Sequence, residues 1–209
     1  MKKRNHRLSR SLPSVSILTP TTANRANVLP LLAKCIERQK YENIVEWLLV
    51  DGTRGGNSID RECLKGFSKC TIRWIELPYD TEPTIGALRQ TLNETFVGDI
   101  AVCCDDDDYY PPTRVSHAVD KLTKSTAQIA GCTDHLLFDL DMQQAFQFYG
   151  FGPRHSTHNS MAYTKTYARG HKYDVTRTFA EESSFTNEFK EPMVQLEYLH
   201  AVMHIIHRG

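Results

Sequence analysis

Apolar and polar positions follow two rhythms in turn along the first half of the chain. Val15-Ser16-Ile17-Leu18-Thr19 is a short apolar run that stops at Pro20 and predicts a buried strand, followed by the loop Thr21-Thr22-Ala23-Asn24-Arg25. From Asn27 to Lys40, Val28, Leu29, Leu32, Cys35 and Ile36 recur at helical spacing. A second strand is expected over Val45 to Val50, ending at Asp51-Gly52. A looser helical stretch around Ile59, Cys63, Leu64 and Phe67 leads to a third, over Thr71 to Leu77. Ile85, Leu88, Leu92 and Phe96 then predict a helix that Gly98 ends, and Ile100 to Cys104 predicts another strand. Strand and helix in alternation are the signature of a parallel α/β sheet.

The rhythm changes beyond Pro112. Val115, Ala118, Val119 and Leu122 predict one more helix, but Gln128 to Thr133 and Leu136 to Leu140 read as strands. Asp139-Leu140-Asp141-Met142 is a turn into Ala145 to Tyr149, which predicts a β-hairpin. The expected organisation is a basic flexible tail over residues 1–13 and a single domain over 14–209. Residues 14–111 form its nucleotide-binding half and 112–209 the half that receives a second substrate.

Composition narrows the partners. The 209 residues are 40% hydrophobic, enough for one full core, and 25 basic residues balance 25 acidic ones. That neutrality argues against bulk nucleic-acid binding, which needs a basic surface. Cys35, Cys63, Cys70, Cys103, Cys104 and Cys132 lack the paired short spacing of a zinc site and read as free thiols in a reducing, cytoplasmic compartment. The basic stretch Met1 to Arg10 has no apolar run behind it, and no segment is long and apolar enough for a membrane span.

The candidate chemistry centres on Asp105-Asp106-Asp107-Asp108, four carboxylates directly after the apolar run that ends at Cys104. Adjacent like charges repel, so the cluster calls for a cation. Oxygen ligands favour Mg2+ or Mn2+, and Mg2+ is commonly held by one or two carboxylates plus substrate phosphates, which makes a phosphate-bearing substrate the first expectation. In open α/β sheets ligands gather beyond the carboxyl ends of strands, where this run sits. Three further stretches stand out. Glu181-Glu182 is an adjacent acidic pair, of the kind that the helix dipole alone favours in a helix's first turn. His200, His204 and His207 lie in an apolar stretch; on a helix His204 and His207 would share a face, whereas on the strand that the stretch suggests only one of the two could reach a metal. The segment from Pro153 to Tyr163 is dense in hydrogen-bonding groups and rings suited to line a ligand pocket, and Asp134-His135, just past the expected strand Gln128 to Thr133, is expected to approach the ligand.

From about Val15 to His207 the order of these parts resembles the GT-A glycosyltransferases, and within them the family 2-like enzymes. Ser16 to Thr21 with Asn24-Arg25 resembles the opening strand and its proline-threonine loop. Leu48 to Thr53 resembles the second strand, whose terminal aspartate, here Asp51, contacts the nucleotide base. Arg89, Gly98 and the Asp105–Asp108 run fall at the spacing of the family's arginine-bearing helix, its glycine and its aspartate-x-aspartate motif. The resemblance implies a donor site formed by Thr19, Pro20, Thr21, Arg25, Asp51, Arg89, Asp105 and Asp106. The register assigns Asp105 to the ribose and Asp107 to the metal, Mn2+ or Mg2+, because residues two apart on an extended strand point the same way; Asp106 is a rival for either role. It further implies Glu182 as general base, Glu181 as the neighbour that orients the acceptor, and a histidine, His207, completing the metal shell.

The function so implied is metal-dependent transfer of a sugar from a nucleoside-diphosphate sugar, with UDP as the default nucleotide, to a hydroxyl of a glycan or other acceptor, with inversion. Two alternatives remain open. A sugar-nucleotide nucleotidyltransferase would need the same sheet and metal but also a glycine-rich phosphate loop, and Thr21 to Asn27 contains no glycine. A non-catalytic sugar- or nucleotide-binding module, one part of a longer multidomain protein, is the other.

Overall fold

The computed structural model describes residues 11–54, 59–76 and 82–207. Most of the expected tail, Leu77 of the third expected strand, and Arg208-Gly209 lie outside the described residues. In chain order the strands are β1 (Val15–Thr21), β2 (Ile44–Asp51), β3 (Thr71–Glu76), β4 (Ile100–Cys103), β5 (Ile129–Gly131), β6 (His135–Asp139), β7 (Gln144–Phe148), β8 (Ala162–Thr164), β9 (Val194–Gln195) and β10 (Met203–Ile206). The helices are α1 (Leu29–Glu37), α2 (Ile85–Thr95), α3 (Arg114–Thr123), α4 (Lys165–Gly170), α5 (Glu182–Phe185) and α6 (Tyr198–Ala201).

Seven strands form one sheet in the order β3-β2-β1-β4-β8-β5-β9, and a small second sheet runs β10-β6-β7. β1 pairs in parallel with both β2 and β4, while β8 is antiparallel to β4 and β5. The central strands are buried on both faces, and their period-two alternation sorts side chains into two cores. Ile17, Trp47, Leu49 and Val102 pack with α1 and α3 on one face. Leu18, Leu48, Val50 and Ala101 pack with α2, Tyr163, Tyr173 and Phe185 on the other.

The hairpin forms as the alternation predicts: β6 and β7 pair from His135↔Phe148 to Asp139↔Gln144. Three expectations need correction. The helical stretch around Ile59 to Phe67 is only a 3-10 turn, Arg61–Leu64, capped by the Asp60 side chain. Gly98 does not end α2, which stops at Thr95; a Cβ at Gly98 would lie 2.7 Å from the Ser16 nitrogen, so the residue is needed for close approach to β1. His200 lies in the short helix α6 and not on a strand with His204. β8 and β9, three and two residues long, have no sequence signature because so short a run carries no measurable period. Among the described residues no helix is long and apolar enough to cross a membrane.

Candidate functional site

Strand order reverses direction at β1, whose neighbours β2 and β4 lie on either side, and the carboxyl ends of β1 and β4 therefore open a crevice between them. The crevice holds a cavity of about 270 Å3 lined by Pro20, Thr21 and Arg25 from β1 and its loop, Arg89 from α2, and Asp105 to Asp107 from the end of β4. Thr21 Oγ1 donates a 2.7 Å hydrogen bond across the crevice to Asp106 Oδ2. A larger cavity of about 590 Å3 adjoins it, shares Arg89, Asp105 and Asp107, and extends to Glu181, Glu182, Asn159 and His204. Of the sequence-predicted donor residues, Pro20, Thr21, Arg25, Arg89, Asp105 and Asp106 border these two adjoining spaces, as does the acidic pair, whereas Thr19 and Asp51 border neither.

The aspartate run is a turn and not the extended strand assumed for its register. Four carboxylates in sequence repel, and the turn sends each to a different partner. Asp105 pairs with Arg89 Nη2 at 3.3 Å, and its backbone N–H donates to the buried Tyr110 hydroxyl at 2.6 Å. Asp106 meets Thr21 and, at 3.3 Å, Arg25 Nη1. Asp107 pairs with the same Arg25 nitrogen and lies 3.4 Å from His207 Nε2. Asp108 accepts from Asn159 at 2.5 Å and from the Ile205 N–H at 3.1 Å. Burial, with neighbouring charge, raises the Asp106 pKa to about 6 and that of Asp108 to about 7. At Asp107 burial pulls the same way, but the Arg25 hydrogen bond and charge outweigh it and the pKa falls.

Arg89 joins the two cavities. It is 7% exposed, with Glu181 on one side (Nε to Oε1, 2.7 Å) and Asp105 on the other. Burial opposes its charge, yet the two carboxylates more than compensate and its pKa is raised. Arg89 Nη1 and Asp105 Oδ1 are buried without a hydrogen-bond partner, and the Glu181 contact is an ion pair off the in-line geometry of a hydrogen bond. Glu181 is the N-cap residue of α5 and is itself buried, so it answers to Arg89. Glu182, the first residue of α5, faces the larger cavity and makes no salt bridge among the described residues. Burial first, then the charge of Glu181, raises its pKa.

Other expected residues are placed elsewhere. Thr19 is fully buried, its hydroxyl accepting from Trp47 Nε1 at 3.0 Å, and lines neither cavity. Asp51 stands beside Thr21 at the end of β2, with its carboxylate accepting from the Thr53 and Ile59 N–H groups at 2.9 and 3.1 Å. Asp134 accepts from the Gly150 N–H, and His135 is buried against His204; neither borders the cavities. From the polar 153–163 segment Thr157, His158 and Asn159 do border the larger one. Arg114, which the sequence reading passed over, is fully buried and donates to the Ser160 and Met161 carbonyls at 2.9 and 2.8 Å, pinning that segment beside β4. A helix-start arginine is ordinarily a surface residue, so no sequence signal marked it.

Asp107 and His207 supply a carboxylate oxygen and an imidazole nitrogen within 3.4 Å of each other, a donor pair that suits Mn2+. Among the described residues no group of three or more His, Cys, Asp or Glu is arranged to hold an ion by itself. The donor set therefore fits an ion whose remaining ligands come from a substrate's phosphates and water.

The arrangement of sheet and crevice recurs in solved structures. S. aureus TarS 1-349 in complex with UDP-GlcNAc superposes with a TM-score of 0.71 at 13% identity, over 94% of this chain and 59% of that one. The complex of the same protein with UDP gives 0.68 at 12% identity over 92% and 60%. The chain has the GT-A fold. In GT-A terms the seven-stranded sheet carries the crevice, and the small β10-β6-β7 sheet brings His204 and His207 to its rim. The chain spans about three fifths of the length of the TarS 1-349 structures it matches. No protein-family model and no curated protein matches the sequence.

Proposed function

We propose that the protein is an inverting glycosyltransferase that moves a sugar from a UDP-sugar to an acceptor hydroxyl. The observation that carries this reading is the seam between the two cavities. There one buried guanidinium nitrogen, Arg89 Nη1, and one buried carboxylate oxygen, Asp105 Oδ1, are left without a hydrogen-bond partner in residues that line both spaces. A buried donor and acceptor in that state are suited to bonds that only a ligand supplies. The complexes of TarS with UDP and UDP-GlcNAc favour UDP as the nucleotide.

In this reading the smaller cavity takes the nucleoside diphosphate, with Thr21, Arg25, Asp105 and Asp106 about it, and Asp51 supports the loop on the base side. Asp107 and His207 would hold Mn2+ or Mg2+, and such an ion would supply charge neutralisation for the diphosphate leaving group. Arg25, paired with Asp106 and Asp107, lines the same cavity and would supply a cation for the diphosphate. The acceptor enters the larger cavity, where Glu182 takes the hydroxyl proton. The acceptor oxygen bonds to the anomeric carbon, the carbon–oxygen bond to the diphosphate breaks, and that electron pair leaves with UDP. Glu181, held by Arg89, fixes the backbone at the start of α5 and so aims Glu182. Six free cysteines, three of them buried in the core, suit a reducing cytoplasm.

The test is a thermal-shift and calorimetric titration with UDP and GDP, each with Mn2+, Mg2+ or EDTA, followed by UDP-release assays from UDP-sugars. Metal-dependent stabilisation by UDP and release that depends on Glu182 are expected. Binding without release would make the chain a binding module, and no binding would remove the donor site.

A further inference from the structure

Six aromatic rings, the second of them the buried His135, follow one another from the larger cavity past the open edge of the small sheet to Phe189. His204 lines the cavity that Glu182 faces, and its ring meets that of His135 edge-on with centroids 5.0 Å apart. His135 stacks with Phe148 at 6.4 Å, and Phe148 lies 6.1 Å from Phe151. Phe151 meets His155 edge-on at 5.0 Å, and His155 lies 4.9 Å from Phe189. Folding normally hides such rings, yet Phe148 is 45% and Phe151 80% exposed. The far end is held in strained backbone: Asn187, Glu188 and Phe189 have φ of +49°, +57° and +55°, three successive side-chain-bearing residues in the left-handed region. Strain of this kind persists where the surroundings impose it, and here it sets the ring of Phe189 against His155.

Hydrogen-bonding groups flank the rings. Thr133 Oγ1 lies 3.3 Å from His155 Nδ1, and the Gln195 amide reaches the Pro153 and His155 carbonyls at 2.9 and 3.1 Å. A sugar ring offers an apolar C–H face for stacking and a rim of hydroxyls for such groups. Nearby charges are of both signs, Asp134 and Glu188 against Arg154 and Lys190, so the surface has no basic cluster to neutralise a polyanion. We propose that this line of rings is an acceptor track that binds a neutral carbohydrate chain and leads its end to Glu182. The proposal rests on the glycosyltransferase reading. Leu137, which lines the larger cavity, pairs across the small sheet with Phe146, 39% exposed and on the same face as Phe148, and this exposed continuity with the cavity favours an acceptor over a protein partner.

The full chain is tested on an array of neutral and anionic glycans, with UDP–Mn2+ binding measured in parallel by calorimetry. The wild type is expected to retain a class of neutral glycans. Phe151→Ala and Phe148→Ala, at exposed rings whose loss leaves the two cores intact, are expected to weaken that retention at least tenfold with UDP binding unchanged. Retention that survives both substitutions, retention of anionic glycans alone, or no retention overturns the track. Intact UDP binding then confines the failure to the track, whereas loss of UDP binding in the wild type takes the glycosyltransferase reading with it. A shift in sedimentation on substituting Phe151 would assign the surface to a second copy and overturn the proposal.

Discussion

Replacing Arg89 by Met tests the seam directly. Methionine keeps the length of the side chain and the helix propensity of α2, and removes only the charge and its donors. Asp105 and Glu181 would then face each other's side of the crevice without a cation, Glu181 at 5% side-chain exposure. Breaking a buried ion pair by deleting one partner costs about 3–5 kcal/mol, because the remaining charge is left uncompensated. For a chain of this size each kcal/mol lowers Tm by about 2–4 °C, so a fall of about 6–20 °C is expected. Thermal unfolding at neutral pH measures it, and a double-mutant cycle with Glu181→Gln isolates the pair. If the two side chains act together, the double variant should depart from the sum of the singles by at least about 1 kcal/mol. A fall below about 2 °C, or effects that simply add, would refute the account of Arg89 as the tie between the aspartate turn and the start of α5.

Asp107→Ala should remove the dependence of UDP binding on Mn2+, seen by calorimetry with and without EDTA; metal-dependent binding that persists would dismiss Asp107 and its pairing with His207. Glu182→Gln should leave UDP affinity in place and lower kcat about 10²–10⁴-fold in a UDP-release assay, the range expected for loss of a general base. The base works deprotonated, and burial together with Glu181 raises its pKa above the ordinary 4.5, so kcat/KM should be full at higher pH and fall as pH drops through a midpoint above 4.5. A limb centred at or below that value would exclude Glu182. Gly98→Ala should destabilise the fold by about 1–3 kcal/mol in urea unfolding, since its Cβ would stand 2.7 Å from the Ser16 nitrogen and 2.9 Å from its hydroxyl; an unchanged midpoint would show that β1 yields easily there.

The sequence by itself determined the alternating sheet, the position of the hairpin, and the strand ends that Arg25 and Asp105–Asp108 follow, because hydrophobic period and turn chemistry are local and survive in one dimension; Glu181–Glu182 is legible only through the family resemblance. What it could not carry were contacts between distant segments. The register of the aspartates was read as an extended strand, and the tertiary structure turns it, since repulsion within the run is relieved by partners brought from β1, α2 and β10. The resemblance puts Thr19 at the donor site with Pro20 and Thr21, but packing of β1 against β2 places its hydroxyl on Trp47. Arg114 gave no signal at all; only the docking of the 158–160 turn against β4 supplies the carbonyls that make its burial tolerable. Side-chain partners separated by tens of residues are chosen by the packing of whole elements, and so the site's wiring was decided in three dimensions while its parts were already legible in the chain.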